Sequence, residues 1–233
     1  MSFLRNFART EAGKLREMSF AEKRQYIWEY YKLHIAGLVI AIAVIGSMLN
    51  TLVFNPPRQE YVYFAWVGPF VTLQSLDDFV EELAVIVENP DRYEVRAGNY
   101  GMHDVDPQAI MGLQTRFVAN LQFGSFDMFM VSTEEITDFA ISGFILPILP
   151  LMEVVRTKNP VLYSVLRPRL VLLTFIPEGY EDEQTVYMAI DLAGVGFLER
   201  IDIYTEGLFM SVAVNSHRFE RVVRALEVIF DEE

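Results

Sequence analysis

The chain reads as an α/β protein in which one N-terminal membrane helix is followed by one outer domain built on a mixed sheet. Three observations carry that expectation. Residues 33–54, LHIAGLVIAIAVIGSMLNTLVF, contain no Asp, Glu, Lys or Arg. Beyond them, short runs rich in aromatic and β-branched residues are separated by segments whose apolar positions recur at helical spacing. Their order begins β-α-β-α-β-α, a pattern that favours a parallel or mixed sheet covered by helices.

At 1.5 Å per residue the uncharged stretch makes a helix of about 33 Å, enough to cross a hydrocarbon core of about 30 Å. Ser19 and Glu22 have capping-box spacing, so the helix is expected to begin near Phe20 and run unbroken into the bilayer. Trp28, Tyr30 and Tyr31 fall where amphipathic rings favour the headgroup level. Asn55-Pro56-Pro57-Arg58 then breaks the helix. The expected organisation is a basic juxtamembrane segment at 1–32, a membrane helix at 33–54, a linker at 55–60 and an outer α/β domain at 61–233.

Charge sets the expected orientation. Residues 1–33 hold seven basic and four acidic side chains, a net of +3. The remainder holds twelve basic and 28 acidic ones, a net of −16, giving −13 for the whole chain. Lys23, Arg24 and Lys32 precede the span closely while only Arg58 follows closely, which predicts a cytoplasmic N-terminus and an extracellular C-terminal domain in the cell membrane. The apolar run is longer than a signal-peptide core and NTLVFNPP lacks a small-x-small cleavage pattern, so a retained anchor is expected. The absence of Cys excludes disulfides, thiolate metal sites and a lipid-modified cysteine. Gly37 and Ala41, Ala43 and Ser47, and Gly46 and Asn50 lie four apart. They are compatible with a close helix–helix seam and equally with the ordinary composition of a membrane helix.

Tyr61–Val67, ending at Gly68-Pro69, predicts the first outer strand. A helix follows from about Leu76, with Ser75 as a plausible cap, Asp77, Asp78, Glu81 and Glu82 on its wet face and Pro90 beyond its end. Arg92–Ala97 is a short strand. Asp106-Pro107 has the form of a helix start, and the helix runs through Leu121. Phe126–Val131 predicts a third strand, with Ser132 or Thr133 capping a helix through about Ile141 and Gly143 ending it. Residues 143–150 read as an apolar loop, 151–155 as a short helical turn, and 156–169 as a basic, proline-punctuated connection. Leu170–Ile176 reads as a buried strand, Thr185–Ile190 and Leu208–Val214 as two more, and Phe219–Phe230 as a last helix capped by Asn215 or Ser216.

The catalytic inventory is thin. There are three His and no G-x-S-x-G, Walker or H-E-x-x-H motif. His103, Asp104 and Asp106 cluster in a loop, but His-Asp-x-Asp is an incomplete ligand set and Asp106 has a capping role; no catalytic residue, metal or cofactor is expected. His217 reads as a surface side chain. Nucleic acid is disfavoured because the outer domain is strongly acidic and lacks clustered Lys/Arg.

Two stretches together, 121–146 (LQFGSFDMFMVSTEEITDFAISGFIL) and 187–229, resemble parts of bacterial extracellular solute-binding proteins of the periplasmic type II kind. A Gly-small-x-Asp strand start is followed by a helix and a GxxxPL-like loop, matched by Gly143–Pro147; later a strand turns through Val214-Asn215-Ser216 into a helix. The front end, EKRQYIWEYYKLHIAGLVIAIAV, is similar to that of uncharacterised single-pass membrane proteins of Gram-positive bacteria whose outer part has this look. The resemblance implies a reduced solute-binding-protein lobe, since the 176 residues from Arg58 cannot supply two full lobes. Ligand-facing groups would then lie at carboxyl ends of strands and at helix starts, which nominates Thr72, Asn99, Tyr100, Ser132 and Thr133.

The expected function is therefore a membrane-anchored, extracytoplasmic binding or interaction module, not an enzyme. Its expected partners are the lipid bilayer, a small solute, and another membrane protein or a second copy met through the span. The alternative is an assembly subunit of a membrane protein complex with no small ligand; a metal-assisted hydrolase around His103, Asp104 and Asp106 ranks third.

Overall fold

A computed structural model describes residues 19–54, 56–67, 71–101 and 107–231. The chain divides into two compact units, Met1–Pro57 and Arg58–Glu233. In the first, helix α1 spans Phe20–Leu49 and continues as a π-helical turn over Asn50–Phe54. Its start is the expected capping box: Ser19 Oγ accepts the Glu22 amide at 3.4 Å while the Glu22 carboxylate accepts the Ser19 amide at 2.8 Å. These bonds hold the Glu22 carboxyl below its usual range. Trp28–Phe54, 27 residues, is long and apolar enough to cross a membrane, and no residue of its apolar window is buried within the chain.

The second unit is organised by one seven-stranded mixed sheet. Its elements in chain order are β1 (Gln59–Trp66), α2 (Leu73–Leu83), β2 (Tyr93–Asn99), α3 (Pro107–Gln122), β3 (Met128–Ser132), α4 (Ile136–Ile141) and β4 (Ile145–Leu146). Then follow α5 (Leu149–Lys158), α6 (Pro160–Leu166), β5 (Leu170–Phe175), β6 (Gln184–Asp191), α7 (Gly196–Arg200), β7 (Leu208–Ala213) and α8 (Phe219–Ile229). The path across the sheet is β2-β1-β3-β7-β6-β5, with β4 also paired to β7. The crossovers through α2 and α3 make β1 parallel to both β2 and β3, while β7 runs antiparallel to β3, β4 and β6.

Period-two alternation sends the strand side chains into two cores. Val62, Phe64 and Trp66 of β1, with Met128 and Met130 of β3, meet the apolar faces of α2, α5, α6, α7 and α8. Tyr63 and Ala65, with Phe129 and Val131, meet α3 and α4 on the opposite face. The domain is thus three layers, helix on sheet on helix, and its central strands are buried on both sides as parallel strands require. Two positions break the alternation, Tyr61 of β1 and Met188 of β6, the latter sharing a core with its neighbour Ala189 where the β5–β6 register shifts. The register of β1 on β2 shifts between Glu60 and Val62, and the extra residue Tyr61 faces the same core as its neighbour Val62.

Several local expectations are corrected. Thr72, not Ser75, caps α2: its Oγ1 accepts the Ser75 amide at 2.9 Å, and Ser75 is itself buried against it. Neither Asn215 nor Ser216 caps α8, whose start has no side-chain cap. Asn215 instead donates to the Leu121 carbonyl at 2.8 Å, and Ser216 Oγ to the buried Asp127 carboxylate at 3.2 Å. Helix α4 begins at Ile136 without a side-chain cap, because Ser132 Oγ accepts the Glu134 amide in a preceding turn. The apolar loop at 143–150 contains strand β4, and the connection at 156–169 contains α6, capped by Asn159 through the Leu162 amide at 3.0 Å. Leu170–Ile176 is a sheet edge and not a buried strand: Leu172 and Ile176 are each about half exposed.

Candidate functional site

The three parallel strands end together on the face covered by α3 and α4, and there the packing leaves a cavity of about 480 Å³. Val67 follows β1, Tyr100 follows β2 and Glu135 follows β3. Gln114, Phe117 and Val118 come from α3, Phe139 from α4, and Phe144 from the approach to β4. Each is placed by an ordinary consequence of the fold: a strand end delivers the residues that follow it to this rim, and the two helices lie across it.

Aromatic packing forms the wall. Phe117, Phe139 and Phe144 meet pairwise at 5.5–6.0 Å, inclined by 60°, 71° and 79°. Tyr100 meets Phe117 at 5.6 Å and Phe126 at 5.2 Å, both edge to face. Behind the wall, the hydroxyls of Tyr63 and Tyr100 lie 2.7 Å apart, and Asn120 Nδ2 donates to Tyr100 Oη at 2.7 Å. Burial raises the Tyr63 phenol well above its usual range, and the bond with Tyr100 adds to that. Gly98 permits this pairing: a Cβ there would lie 2.8 Å from Tyr63 Oη and 2.9 Å from Tyr100 Cε2.

The polar equipment of the cavity is small. A Glu135 carboxylate oxygen accepts the Ser132 amide at 3.1 Å, which anchors the side chain at the start of the turn into α4. Arg116 stands outside on α3 with its guanidinium 5.4 Å from the Tyr100 ring centre. Such a site can bind by apolar contact and ring faces, and orient a ligand through a carboxylate and an amide.

Of the five nominated residues, Tyr100 lines this cavity. The side chains of the other four hold backbone. Thr72 caps α2 on the opposite face of the sheet. Asn99 Oδ1 accepts the Gly101 amide at 2.8 Å, Ser132 accepts the Glu134 amide, and Thr133 Oγ1 donates to the Gly207 carbonyl at 3.3 Å. Phe117, Phe139, Phe144 and Glu135 were not foreseen as site residues; their clearest sequence signal is position, since each lies on or beside an element that follows a parallel strand. His103, Asp104 and Asp106 lie outside the described residues. Among the described residues no group of three or more His, Asp or Glu could hold a metal. His217 is exposed, its Nδ1 3.0 Å from the Asn215 carbonyl.

A second, more polar cleft of about 240 Å³ opens beside Tyr61, Glu88, Tyr93, Glu220, Arg221 and Arg224. Arg221 lies 4.9 Å from the Tyr61 ring centre and 4.8 Å from that of Tyr93, and donates to the Glu60 and Tyr61 carbonyls. Arg224 is paired with Glu88. These arginines clamp α8 to the start of β1, and that accounts for them.

The arrangement defines a mixed α/β protein with a strand-end cavity and an N-terminal apolar helix. No protein family matches the chain, and no curated protein does. Among solved structures, it is similar to an extracellular solute-binding protein family 1 member from Alicyclobacillus acidocaldarius subsp. acidocaldarius DSM 446. The identity is 14%, the TM-score 0.30, and 59% of this chain is covered against 29% of the other. It is also similar to a TRAP periplasmic solute binding protein from Ochrobactrum anthropi, at 11% identity and TM-score 0.27, over 75% of this chain and 76% of that one. The chain spans under a third of the length of the first of these.

Proposed function

We propose that this protein is a membrane-anchored binding module, with its N-terminus cytoplasmic and its α/β unit outside the cell. The reading rests on one observation above the others: an aromatic-walled cavity of about 480 Å³ at the carboxyl ends of three parallel strands. The apolar, unburied helix at Trp28–Phe54 supports the anchor, and the charge difference across it supports the orientation.

A second reading, an assembly subunit that packs against another membrane protein, is favoured by the edge strand β5. Its exposed Leu172 pairs across the sheet with Tyr187 of β6, which is also exposed, and Ile176 follows it. The stretch Leu170–Ile176 carries no charge to discourage pairing.

Thermal unfolding of the full chain in lipid nanodiscs, against a panel of small apolar, aromatic, cationic and anionic solutes, separates the two. A ligand that binds the folded state stabilises it by about 2.7 kcal/mol at a hundredfold excess over its dissociation constant. A shift that disappears when the exposed Val118 is replaced by Trp supports the binding module. No shift from any solute, with the protein folded, overturns it in favour of the assembly subunit.

A further inference from the structure

We propose that strand β5 pairs antiparallel with β5 of a second copy of this chain, so that two sheets join across a twofold axis. The pairing uses a surface separate from the strand-end cavity and does not depend on a ligand there.

The two ends of the sheet are unlike. At the β2 edge the exposed Arg96 is paired with Glu60 at 3.0 Å and with Glu94 at 3.2 Å. Charged side chains on an edge oppose the addition of a further strand. The β5 edge has no such guard, since Leu170–Ile176 carries no charge. Val171, Leu173 and Phe175 pack into the core beneath α3 and α4, whereas Leu172, Thr174 and Ile176 are exposed on the other face. Beyond the ladder with β6 and the contact of the Thr174 and Thr185 hydroxyls at 2.9 Å, no hydrogen bond reaches residues 171–176 among the described residues. The outward N–H and C=O groups of this strand are therefore open to another strand.

Charge at the strand's two ends selects a second copy as the occupant. Arg167 stands just before β5, and Glu178, Glu181, Asp182 and Glu183 follow it; all five are exposed, and none is in an ion pair among the described residues. Arg169 is set aside, because it donates to the Asp191 and Ala193 carbonyls. Antiparallel overlap of residues 170–176 sets Leu173 against its own copy and Arg167 against Gly179, next to Glu178. Symmetry makes the exchange twice. Parallel pairing would instead bring Arg167 to Arg167 and acids to acids. A separate membrane protein, as in the second reading, would have to supply both signs in the right order; a copy of this chain has them already.

The apolar side chains agree. A twofold axis normal to the sheet keeps each face on its own side, so Leu172 and Ile176 of both copies meet in one strip, with Tyr187 beside Leu172. The −16 of residues 34–233 opposes close approach elsewhere and confines contact to this uncharged stretch. Both β5 edges are consumed in the pair and the β2 edges are guarded, so assembly stops at two.

The chain has no Cys, so introduced cysteines report the pairing directly. Thr174→Cys in the full chain, in lipid vesicles and treated with a short bismaleimide, is expected to give a covalent dimer and nothing larger. A cysteine at Pro168 should fail to join its own copy but should join one at Glu178 in a mixed sample, as antiparallel ends require. Arg167→Glu in the Thr174→Cys chain should lower the dimer yield about fivefold, and adding Glu178→Arg should restore most of it. These side chains are exposed, and an unchanged thermal transition verifies folding. No dimer from folded Thr174→Cys overturns self-pairing and leaves β5 to a different partner. Joining of Pro168→Cys to itself overturns the antiparallel arrangement, and a ladder of larger products overturns the closed pair. A dimer indifferent to Arg167→Glu, or not restored by Glu178→Arg, overturns selection by the end charges.

Discussion

Arg218 Nε donates to Asp127 Oδ1 at 2.8 Å, and the carboxylate it meets has no exposed surface. The same carboxylate accepts the Tyr63 amide at 2.9 Å, while the other guanidinium nitrogens reach the carbonyls of Ser125 at 2.7 Å and Glu60 at 3.2 Å. One ion pair therefore joins the start of α8 to strand β1 and to the residue that precedes β3. Removing one partner of a buried pair strands the other charge, at a cost of about 3–5 kcal/mol. Arg218→Met is expected to lose that much in urea unfolding, and Asp127→Asn in the same background to restore part of it. Additive losses would show that the two groups are not coupled.

Thr72 offers a cleaner separation of structure from binding. Its hydroxyl caps α2 through the Ser75 amide, so Thr72→Ala should destabilise by about 1 kcal/mol and Thr72→Ser by much less. The urea midpoint measures both. Equal stability of all three proteins would remove the cap and return Thr72 to the list of binding candidates.

Gly98 should resist any side chain, for reasons of space and not of backbone conformation. Its missing Cβ is opposed by Tyr63 Oη at 2.8 Å and Tyr100 Cε2 at 2.9 Å, both in a packed core. Gly98→Ala is expected to cost about 1–3 kcal/mol by overpacking. In a Tyr63→Phe background the nearer atom is gone and the cost should fall. A cost that is the same in both backgrounds would place the strain elsewhere.

How much of this could be read from the sequence depended on how each element declares itself. Strand β1 has a run of aromatic and β-branched residues bounded by proline, and its burial is continuous from Tyr61 to Trp66. Strand β4 has two residues, too few for any period, and is made by pairing with β7. Helices α5 and α6 were obscured by Pro150 and Pro160, which break a helix in its interior but sit comfortably in its first turn, where both fall. The cavity was the least legible part. Phe117 has core spacing and is buried, and nothing in a sequence separates a ring that fills a core from one that walls a void. Only the rule that strand ends carry ligands reached the rim, through Tyr100; the polar residues chosen with it are short side chains that the turns themselves consume.

The paired phenols give the protein an alkaline limit. Burial and the bond to Tyr100 raise the Tyr63 phenol in the folded state, whereas in the unfolded chain it ionises near 10. The unfolded state thus binds fewer protons above pH 10, so stability is complete below that value and falls as pH rises beyond it. Absorbance at 295 nm should show a phenol that ionises only as the protein unfolds, and Tyr63→Phe should remove that component. Tyr204 is raised as well, by its bond to Glu206, but it is exposed and should titrate without unfolding. Ionisation of every tyrosine before unfolding would exclude a protected Tyr63.

Orientation across the membrane should follow the basic side chains next to the span. Lys23, Arg24 and Lys32 stand before the apolar run, and Arg58 follows it. In cells stripped of their wall, protease added outside is expected to remove an epitope placed after Glu233 and to spare one placed before Met1. Replacing Lys23, Arg24 and Lys32 by Gln should weaken the bias and yield a mixed population, because the charge difference, and not the length of the apolar run, selects the direction. A C-terminal epitope protected in intact cells and cut only after lysis would reverse the orientation, and the cavity would then face the cytoplasm.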